Sequence, residues 1–147
     1  MAKINPYLNF IGNTEEAFNF YKSVFGGEFS ALMRFKDFPA QEESEGMEIA
    51  DHEWEKIMHI ALPIGGGNVL MGTDVLESMS GNFKFGDNIS LSLNVDSKEE
   101  ADTLYAKLSE GGSYLMPPAE AFWGAYFGMC VDKFGVRWMF NYDNNTK

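Results

Sequence analysis

The chain has 147 residues and a net charge of −11, from 11 basic and 22 acidic side chains. Hydrophobic residues make up 45% and aromatic residues 15%, which excludes a disordered chain and supplies a packed core. The acidic balance excludes nucleic acid as a partner, because a polyanion would be repelled. The single cysteine, Cys130, excludes a framework of disulfides.

The sequence also indicates where the protein resides. No run of 18 apolar residues occurs, so we expect no transmembrane segment and no membrane partner. The first residues, from Met1 to Tyr7, lack the hydrophobic segment of a secretion signal, so we expect a cytoplasmic protein. Six Glu and one Asp fall between Gln41 and Lys56, and we interpret this acidic stretch, with His52 inside it, as a solvated loop.

Two parts of the chain repeat the same order of elements, beginning with a strand. Ile4 to Ile11 and Ile89 to Val95 alternate apolar residues with polar or small ones, which predicts a half-buried strand in each copy. In the second copy Ser90, Ser92 and Asn94 are expected on the face opposite the apolar positions.

A helix is predicted after each of these strands. The first begins at Asn13 or Thr14, and the second at Ser97, whose hydroxyl can cap the Glu100 amide while Glu100 reaches back. Apolar residues recur at helical spacing in both segments, at Ala17, Phe18, Tyr21, Val24 and Phe25, and at Ala101, Leu104, Tyr105 and Leu108. Both helices are expected to end at paired glycines, Gly26-Gly27 and Gly111-Gly112.

Three more strands are predicted in each copy, the last entered through a Gly-x-x-x-Met pattern. They are Glu28–Phe35, Ile57–Ile64 and Gly67–Met71 in the first copy, and Ser113–Met116, Phe122–Asp132 and Gly135–Met139 in the second. We therefore predict an α+β fold of two βαβββ modules in a single domain of residues 1–147. Module 1 spans residues 1–77, the linker residues 78–87 and module 2 residues 88–147.

The modules are expected to form a curved mixed or antiparallel sheet with a concave cleft on the face without helices. Polar residues on that face favour a small-molecule ligand over a dry core. The candidate ligand-binding residues are Asn5, Tyr7, Asn9, His59, Met71, Ser90, Trp123, Arg137 and Met139. His59 is the best candidate for catalysis, as a general base. The alternatives are a core histidine bonded to a backbone carbonyl and a histidine in a dimer contact.

The two arginines of the chain, Arg34 and Arg137, both lie on predicted strands. An arginine that faces a cleft can bind a carboxylate or phosphate through two nitrogens, and the alternative is an ion pair with one of the 22 acids. Arg137 shares a strand face with Met139, and paired methionines typically line adaptable pockets. Cys130 is interpreted as a buried strand residue without a catalytic role.

The paired modules resemble the vicinal oxygen chelate superfamily, which includes glyoxalase I, extradiol dioxygenases and the bleomycin and fosfomycin resistance proteins. The finer pattern is similar to its PhnB-like branch, also called the demethylubiquinone methyltransferase-like domain. The segments that carry the resemblance are Pro6-Tyr7-Leu8-Asn9-Phe10, Glu16-Ala17, Phe20-Tyr21, Phe25-Gly26-Gly27-Glu28, His59, Gly66-Gly67, Leu70-Met71, Asp74, Trp123-Gly124 and Asp132 to Trp138. The resemblance implies the glyoxalase/bleomycin resistance fold.

In the metal enzymes of that superfamily, four ligands come from four equivalent strands and are commonly His and Glu. The resemblance places these positions at Asn5, Ser90, Met71 and Met139, which are neither imidazoles nor carboxylates. We therefore predict no metal. We also predict no cofactor, because the sequence has no glycine-rich loop after a parallel strand for a methyl donor.

Three hypotheses follow. The leading hypothesis is a metal-free, small-molecule-binding homodimer, since superfamily members commonly pair modules across subunits and sheet edges invite pairing. The alternative is a metal-dependent enzyme of lyase or isomerase type, in which His59 and a carboxylate such as Glu120 would join the site. The third is a structural or regulatory dimer whose cleft is closed by side chains.

Overall fold

The computed structural model of the chain describes residues 2–37 and 49–144. They form two compact units, which divide between Lys84 and Phe85. Residues 38–48 of the expected acidic loop lie outside the described residues, and the rest of that stretch includes a short 3₁₀ helix at Asp51–Glu53. Neither of the two α-helices in the described ranges is long and apolar enough to cross a membrane.

The first unit contains one helix and four strands. They are β1 (Tyr7–Phe10), α1 (Thr14–Phe25), β2 (Ala31–Arg34), β3 (Ile57–Gly65) and β4 (Asn68–Asp74). The strands are ordered β1-β4-β3-β2, with β1 parallel to β4 and the other pairs antiparallel.

The second unit repeats this arrangement. Its elements are β5 (Leu91–Asn94), α2 (Lys98–Ser109), β6 (Ser113–Glu120), β7 (Ala125–Val131) and β8 (Arg137–Asp143). The strands are ordered β5-β8-β7-β6, with β5 parallel to β8 and the other pairs antiparallel. The described chain thus forms two four-stranded mixed sheets, and the prediction of two βαβββ modules with an α+β fold is confirmed.

A buried aspartate holds the beginning of α1. One carboxylate oxygen of Asp74, at the end of β4, accepts hydrogen bonds from the Thr14 amide at 3.1 Å and the Thr14 hydroxyl at 2.7 Å. Its other oxygen accepts from the Ile57 amide at the start of β3, at 2.8 Å. The side chain of Asn13 forms no cap hydrogen bond, so Asp74 of β4 supplies the capping carboxylate, in addition to the acidic Glu15 and Glu16 of the first turn.

The N-terminus of α2 follows the predicted capping pattern with one difference. The Ser97 hydroxyl accepts from the Glu100 amide at 3.0 Å, as expected. The Glu100 carboxylate accepts from the Asp96 amide at 2.8 Å, one residue before the expected partner. The Glu100 carboxylate therefore stabilises Asp96, the residue before the cap, and not the cap residue Ser97 itself.

The prediction that β6 ends at Met116 is wrong. The strand continues through Pro117 and Pro118 to Glu120, and its register against β7 shifts twice. Because β6 is the outermost strand of its sheet, prolines without an N–H group are tolerated there. The expected strand from Phe122 begins only at Ala125, because Ala121 to Gly124 form a turn.

Each helix packs its apolar side against one face of its sheet. Phe18 and Tyr21 of α1 are fully buried, as are Ile60, Leu62 and Leu70 of the sheet. In the second unit Leu108, Trp138 and Phe140 are buried in the same way. Among the predicted helix-face residues, Phe25 and Leu104 are only partly buried.

The contact between Phe18 and Gly72 allows a stability test. A Cβ at Gly72 would lie 2.7 Å from the Phe18 ring and 3.0 Å from the Leu8 carbonyl oxygen. We expect Gly72→Ala to lower the free energy of unfolding by about 1–3 kcal/mol through overpacking, measured by urea denaturation. Gly81→Ala is the control, since its Cβ would meet nothing within 4 Å. Equal effects of the two variants would contradict this packing.

Candidate functional site

The first sheet has one face without a helix, and four predicted site residues lie there. The strand register aligns Tyr7 with Met71, and Met71 with Ala61. His59 is aligned with Met33 on the neighbouring strand. Tyr7 and Asn9 are exposed, whereas Met71 and His59 are partly buried. Polar, aromatic and thioether groups therefore share this surface.

Tyr7 and His59 form a hydrogen-bonded pair on this face. The Tyr7 hydroxyl lies 3.0 Å from His59 Nδ1, and the two ring centroids are 5.6 Å apart. Burial raises the pKa of Tyr7, so the phenol keeps its proton at neutral pH and has it to donate. When it donates to Nδ1, a neutral imidazole carries its own proton on Nε2 and offers that N–H to a ligand.

Asn5 has a structural contact that the sequence did not reveal. Its side-chain oxygen accepts a hydrogen bond from the Val69 amide at 3.3 Å. This bond connects the segment before β1 to the beginning of β4, and it uses the oxygen of the Asn5 side-chain amide.

The helix-free face of the second sheet carries a row of methionines. The register aligns Ser92 with Met139, Met139 with Met129, and Met129 with Met116. In the next row the Asn141 amide donates to the Asn94 side-chain oxygen at 3.5 Å. The sequence analysis expected Met139 here and missed the other two methionines, although the period of two along β7 points to Met129.

Ser90 and Trp123 also belong to the second unit. Ser90 is partly exposed and lies just before β5. Trp123 lies in the exposed turn between β6 and β7, and its ring makes edge contacts with Phe122 at 5.1 Å and Phe127 at 5.6 Å. Phe127 is the register partner of Asn141, which lies on the helix-free face with Met139. Trp123 contacts Phe127 and therefore lies at the rim of that face.

The two arginines differ in their surroundings. Arg34 forms two hydrogen bonds with the Glu15 carboxylate, at 2.8 and 3.0 Å, and one with the Glu55 carbonyl oxygen at 2.8 Å. This bonding to Arg34 lowers the pKa of Glu15. The Arg137 side chain forms no hydrogen bond or ion pair in the described part of the chain, and its Nε is buried. Arg137 is aligned with Val131 and shares a strand face with Met139.

The residues at the superfamily's metal positions do not suit its metals. Asn5, Ser90, Met71 and Met139 offer only neutral amide, hydroxyl and thioether groups. Over residues 2–37 and 49–144, no group of three or more His, Cys, Asp or Glu is placed to hold a metal ion. The donor set therefore does not fit zinc, nickel, manganese or iron(II).

Glu120 and Cys130, which the sequence also indicated as candidates, have surroundings that change their pKa values. Glu120 forms an ion pair with Lys98 and accepts from the Asn144 amide at 2.6 Å, which lowers the pKa of its carboxyl group. Cys130 is fully buried, and burial raises the pKa of its thiol to about 12, so it is not a thiolate nucleophile at neutral pH.

A charged cleft beside the start of α1 was missed by the sequence analysis. It has a volume of about 460 Å³ and is lined by Gly12, Glu15, Arg34, His52, Glu55, Lys56, Ile57 and Asp74. Its cations already have partners, since Lys56 donates to the Gly12 carbonyl oxygen at 3.0 Å and Arg34 is held by Glu15. These residues come from separate segments, so no local motif could identify the cleft.

Known proteins share this architecture. Protein PA1353 from Pseudomonas aeruginosa has 41% sequence identity and a TM-score of 0.80 over 97% of this chain and 98% of its own. A Bacillus cereus protein described as a putative 3-demethylubiquinone-9 3-methyltransferase, PhnB protein, has 29% identity and a TM-score of 0.73 over 96% and 99%. Protein YjdN of Escherichia coli is 31% identical over 144 residues, covering 94% of this chain and 93% of its own.

The fold class is that of the glyoxalase/bleomycin resistance/dioxygenase proteins. A member from Burkholderia phytofirmans shares it at 16% identity, with a TM-score of 0.58 over 92% of this chain and 95% of its own. Within that class, the chain belongs to the PhnB-like family described as 3-demethylubiquinone-9 3-methyltransferase, which matches residues 2–140. The resemblance to the vicinal oxygen chelate superfamily and its PhnB-like branch is thereby confirmed.

His52, at the charged cleft, provides a test of the local electrostatics. Its Nε2 lies 2.5 Å from a Glu77 carboxylate oxygen, and this hydrogen bond raises the pKa of His52 above its ordinary value of 6.5. We expect Glu77→Gln to return the pKa toward 6.5, measured by NMR titration of the imidazole protons. Because the folded-state pKa is raised, the stabilisation is fully present below pH 6.5 and is lost as the pH rises through the folded-state pKa.

Glu99→Gln is the matched control, since it removes the same charge from the exposed side of α2. It should leave the His52 titration unchanged. If the pKa of His52 is the same in the Glu77→Gln variant as in the parent protein, the ion pair does not form in solution.

Proposed function

We propose that the chain binds a small organic molecule, without a metal, on the helix-free faces of its sheets. The observation that carries this proposal is the Tyr7–His59 pair, whose hydroxyl and ring lie on a partly exposed face beside Met71. Polar groups aligned beside adaptable apolar side chains are typical of small-molecule sites. The proposed ligand-binding residues remain Asn5, Tyr7, Asn9, His59, Met71, Ser90, Trp123, Arg137 and Met139.

The neutral donor set supports binding without a metal. Amide, hydroxyl and thioether groups hold zinc and manganese poorly, and Asn5 already uses its oxygen on the Val69 amide. We propose no cofactor. The family's description mentions methyl transfer, and we do not extend that activity to this chain, because its sequence has no glycine-rich loop after a parallel strand for a methyl donor.

A second candidate function is proton transfer, which the hydrogen bond between Tyr7 and His59 favours. In the other tautomer, Nδ1–H donates to the Tyr7 hydroxyl, and the free Nε2 can take a proton from a bound substrate and return it. The metal-dependent lyase or isomerase hypothesis receives less support, because Glu120 is bound to Lys98 and the metal positions hold neutral groups. The closed-cleft hypothesis and the cytoplasmic location stay predictions.

The first experiment combines a ligand screen with metal analysis of the full chain. Thermal-shift assays with a library of small organic molecules should find compounds that raise the Tm, whereas zinc, nickel and manganese should not. Tyr7→Phe and His59→Gln should weaken binding of such a compound on the first sheet by about threefold to tenfold, the value of a hydrogen bond. Tyr142→Phe is the control, since it removes a phenol from a partly exposed position on β8 of the other sheet.

Stoichiometric metal that raises the Tm would contradict metal-free binding and restore the metal-dependent hypothesis. An organic library without any stabilising compound would contradict ligand binding. Conversion of a bound compound, followed by NMR and lost in His59→Gln, would favour the proton-transfer function.

We also propose a homodimer, in which β6 and the turn after it contact a second copy. Large apolar side chains are exposed there, at Tyr114, Leu115, Met116, Phe122 and Trp123, and Phe122 is 99% exposed. Residues 113–119 carry no charged side chain, so two copies with a net charge of −11 can approach there with little local repulsion.

Analytical ultracentrifugation tests this proposal. We expect a dimer that tightens with added salt, because salt screens the repulsion between two acidic copies. Phe122→Asp should weaken the dimer, whereas Met79→Asp, at an exposed position in the first unit, should not. A monomer at all concentrations, or equal effects of the two variants, would overturn the proposed surface.

A further inference from the structure

We propose that the ligand of the second sheet is an organic anion: Arg137 binds its carboxylate or phosphate group, and the methionine row of Met139, Met129 and Met116 contacts its apolar body. This inference rests on the proposed function and names the chemical class of the ligand. The juxtaposition that supports it is an arginine whose Nε has no partner among the described residues, next to an uncharged thioether surface.

Hydrogen bonding at the Arg137 guanidinium supports an anionic ligand. The Nε of Arg137 is buried and has no hydrogen-bond partner in residues 2–37 and 49–144. Buried donors in native proteins are almost always satisfied, and a donor on a charged group is the most costly to leave unsatisfied. The Arg137 side chain as a whole is only partly buried, and an oxyanion that reaches its guanidinium would neutralise the charge.

Arg34 and Arg137 differ in their partners among the described residues. The chain has 22 acidic side chains, and Arg34 is bound by two oxygens of Glu15 and by the Glu55 carbonyl oxygen. Within the described ranges no carboxylate pairs with Arg137, although acidic residues outnumber basic residues two to one in the whole chain. In an acidic chain, a guanidinium that no carboxylate of the described residues neutralises is suited to an anion that arrives from outside.

The strand residues next to the Arg137 guanidinium are uncharged. Arg137 and Met139 are two residues apart on one strand face, about 7 Å along β8. Their register partners are Val131 for Arg137, and Met129 and Ser92 for Met139, all uncharged. Met116 extends the row across β7 to the outer strand. A ligand with its anionic group at Arg137 would therefore lay its remaining atoms on flexible apolar side chains.

The test is isothermal titration of the full chain with three ligands of equal chain length: octanoate, octyl phosphate and octan-1-ol. We expect binding of at least one anion, more tightly than the alcohol. Arg137→Met should weaken anion binding about tenfold or more and leave the alcohol unchanged. Arg137→Lys should lie between, because it keeps the charge and loses the two-pronged geometry. It also serves as the second variant if Arg137→Met fails to fold.

Lys107→Met is the matched control, since it removes one positive charge from an exposed position of α2. It should leave all affinities unchanged. A further variant, Met129→Leu with Met139→Leu, keeps the apolar volume and should retain the preference for anions over the alcohol.

The octanoate and octyl phosphate arms show which oxyanion Arg137 prefers, and binding of either anion that depends on Arg137 supports the inference. Anion binding that Arg137→Met does not change overturns it, as does equal affinity for the alcohol and both anions. In those cases the proposed function survives if neutral compounds bind to the helix-free faces. If no organic compound binds in the thermal-shift screen either, both proposals fail.

Discussion

Each unit of this protein obeys one packing constraint: a single twelve-residue helix covers only one face of a four-stranded sheet. The helix-facing positions therefore bury the large apolar side chains, such as Phe10, Leu70, Trp138 and Phe140. The opposite positions keep polar and thioether groups that remain partly exposed. Since strand residues alternate between the two faces, core and candidate site occupy the same strands, one residue apart.

The two units have the same strand order and carry different chemical groups on their helix-free faces. Met71 and Met139 occupy corresponding strands, β4 and β8, each parallel to the first strand of its unit. Beside Met71 the first sheet carries the Tyr7–His59 pair, which offers hydrogen bonds and proton transfer. Beside Met139 the second sheet carries Arg137 and two more methionines, which offer charge and an adaptable apolar surface. The two modules share the same strand order and differ in the side chains on their helix-free faces.

Local hydrogen bonds stabilise the buried aspartates of this acidic protein. Asp74 is buried and accepts three bonds where α1, β3 and β4 meet. Asp132 is also buried and accepts from the Phe134 and Val136 amides and the Trp138 indole, at 2.8, 3.1 and 2.9 Å. These bonds shape the turn before β8 and hold Trp138 on the helix side. Arg137, the preceding residue, consequently lies on the helix-free side.

The sequence by itself determined the elements, because local periodicity needs no distant partner: alternation along β5 and apolar spacing in α2 specify a strand and a helix, and their repetition specifies two modules. The amino-acid sequence also showed the PhnB-like resemblance and the neutral groups at the metal positions. Only the tertiary structure decided that Tyr7 meets His59, 52 positions away, and that β6 continues through two prolines. It also decided that Arg34 pairs with Glu15, whereas Arg137 pairs with no carboxylate of the described residues. These outcomes depend on strand register and sheet edges, which join segments that local sequence patterns do not connect.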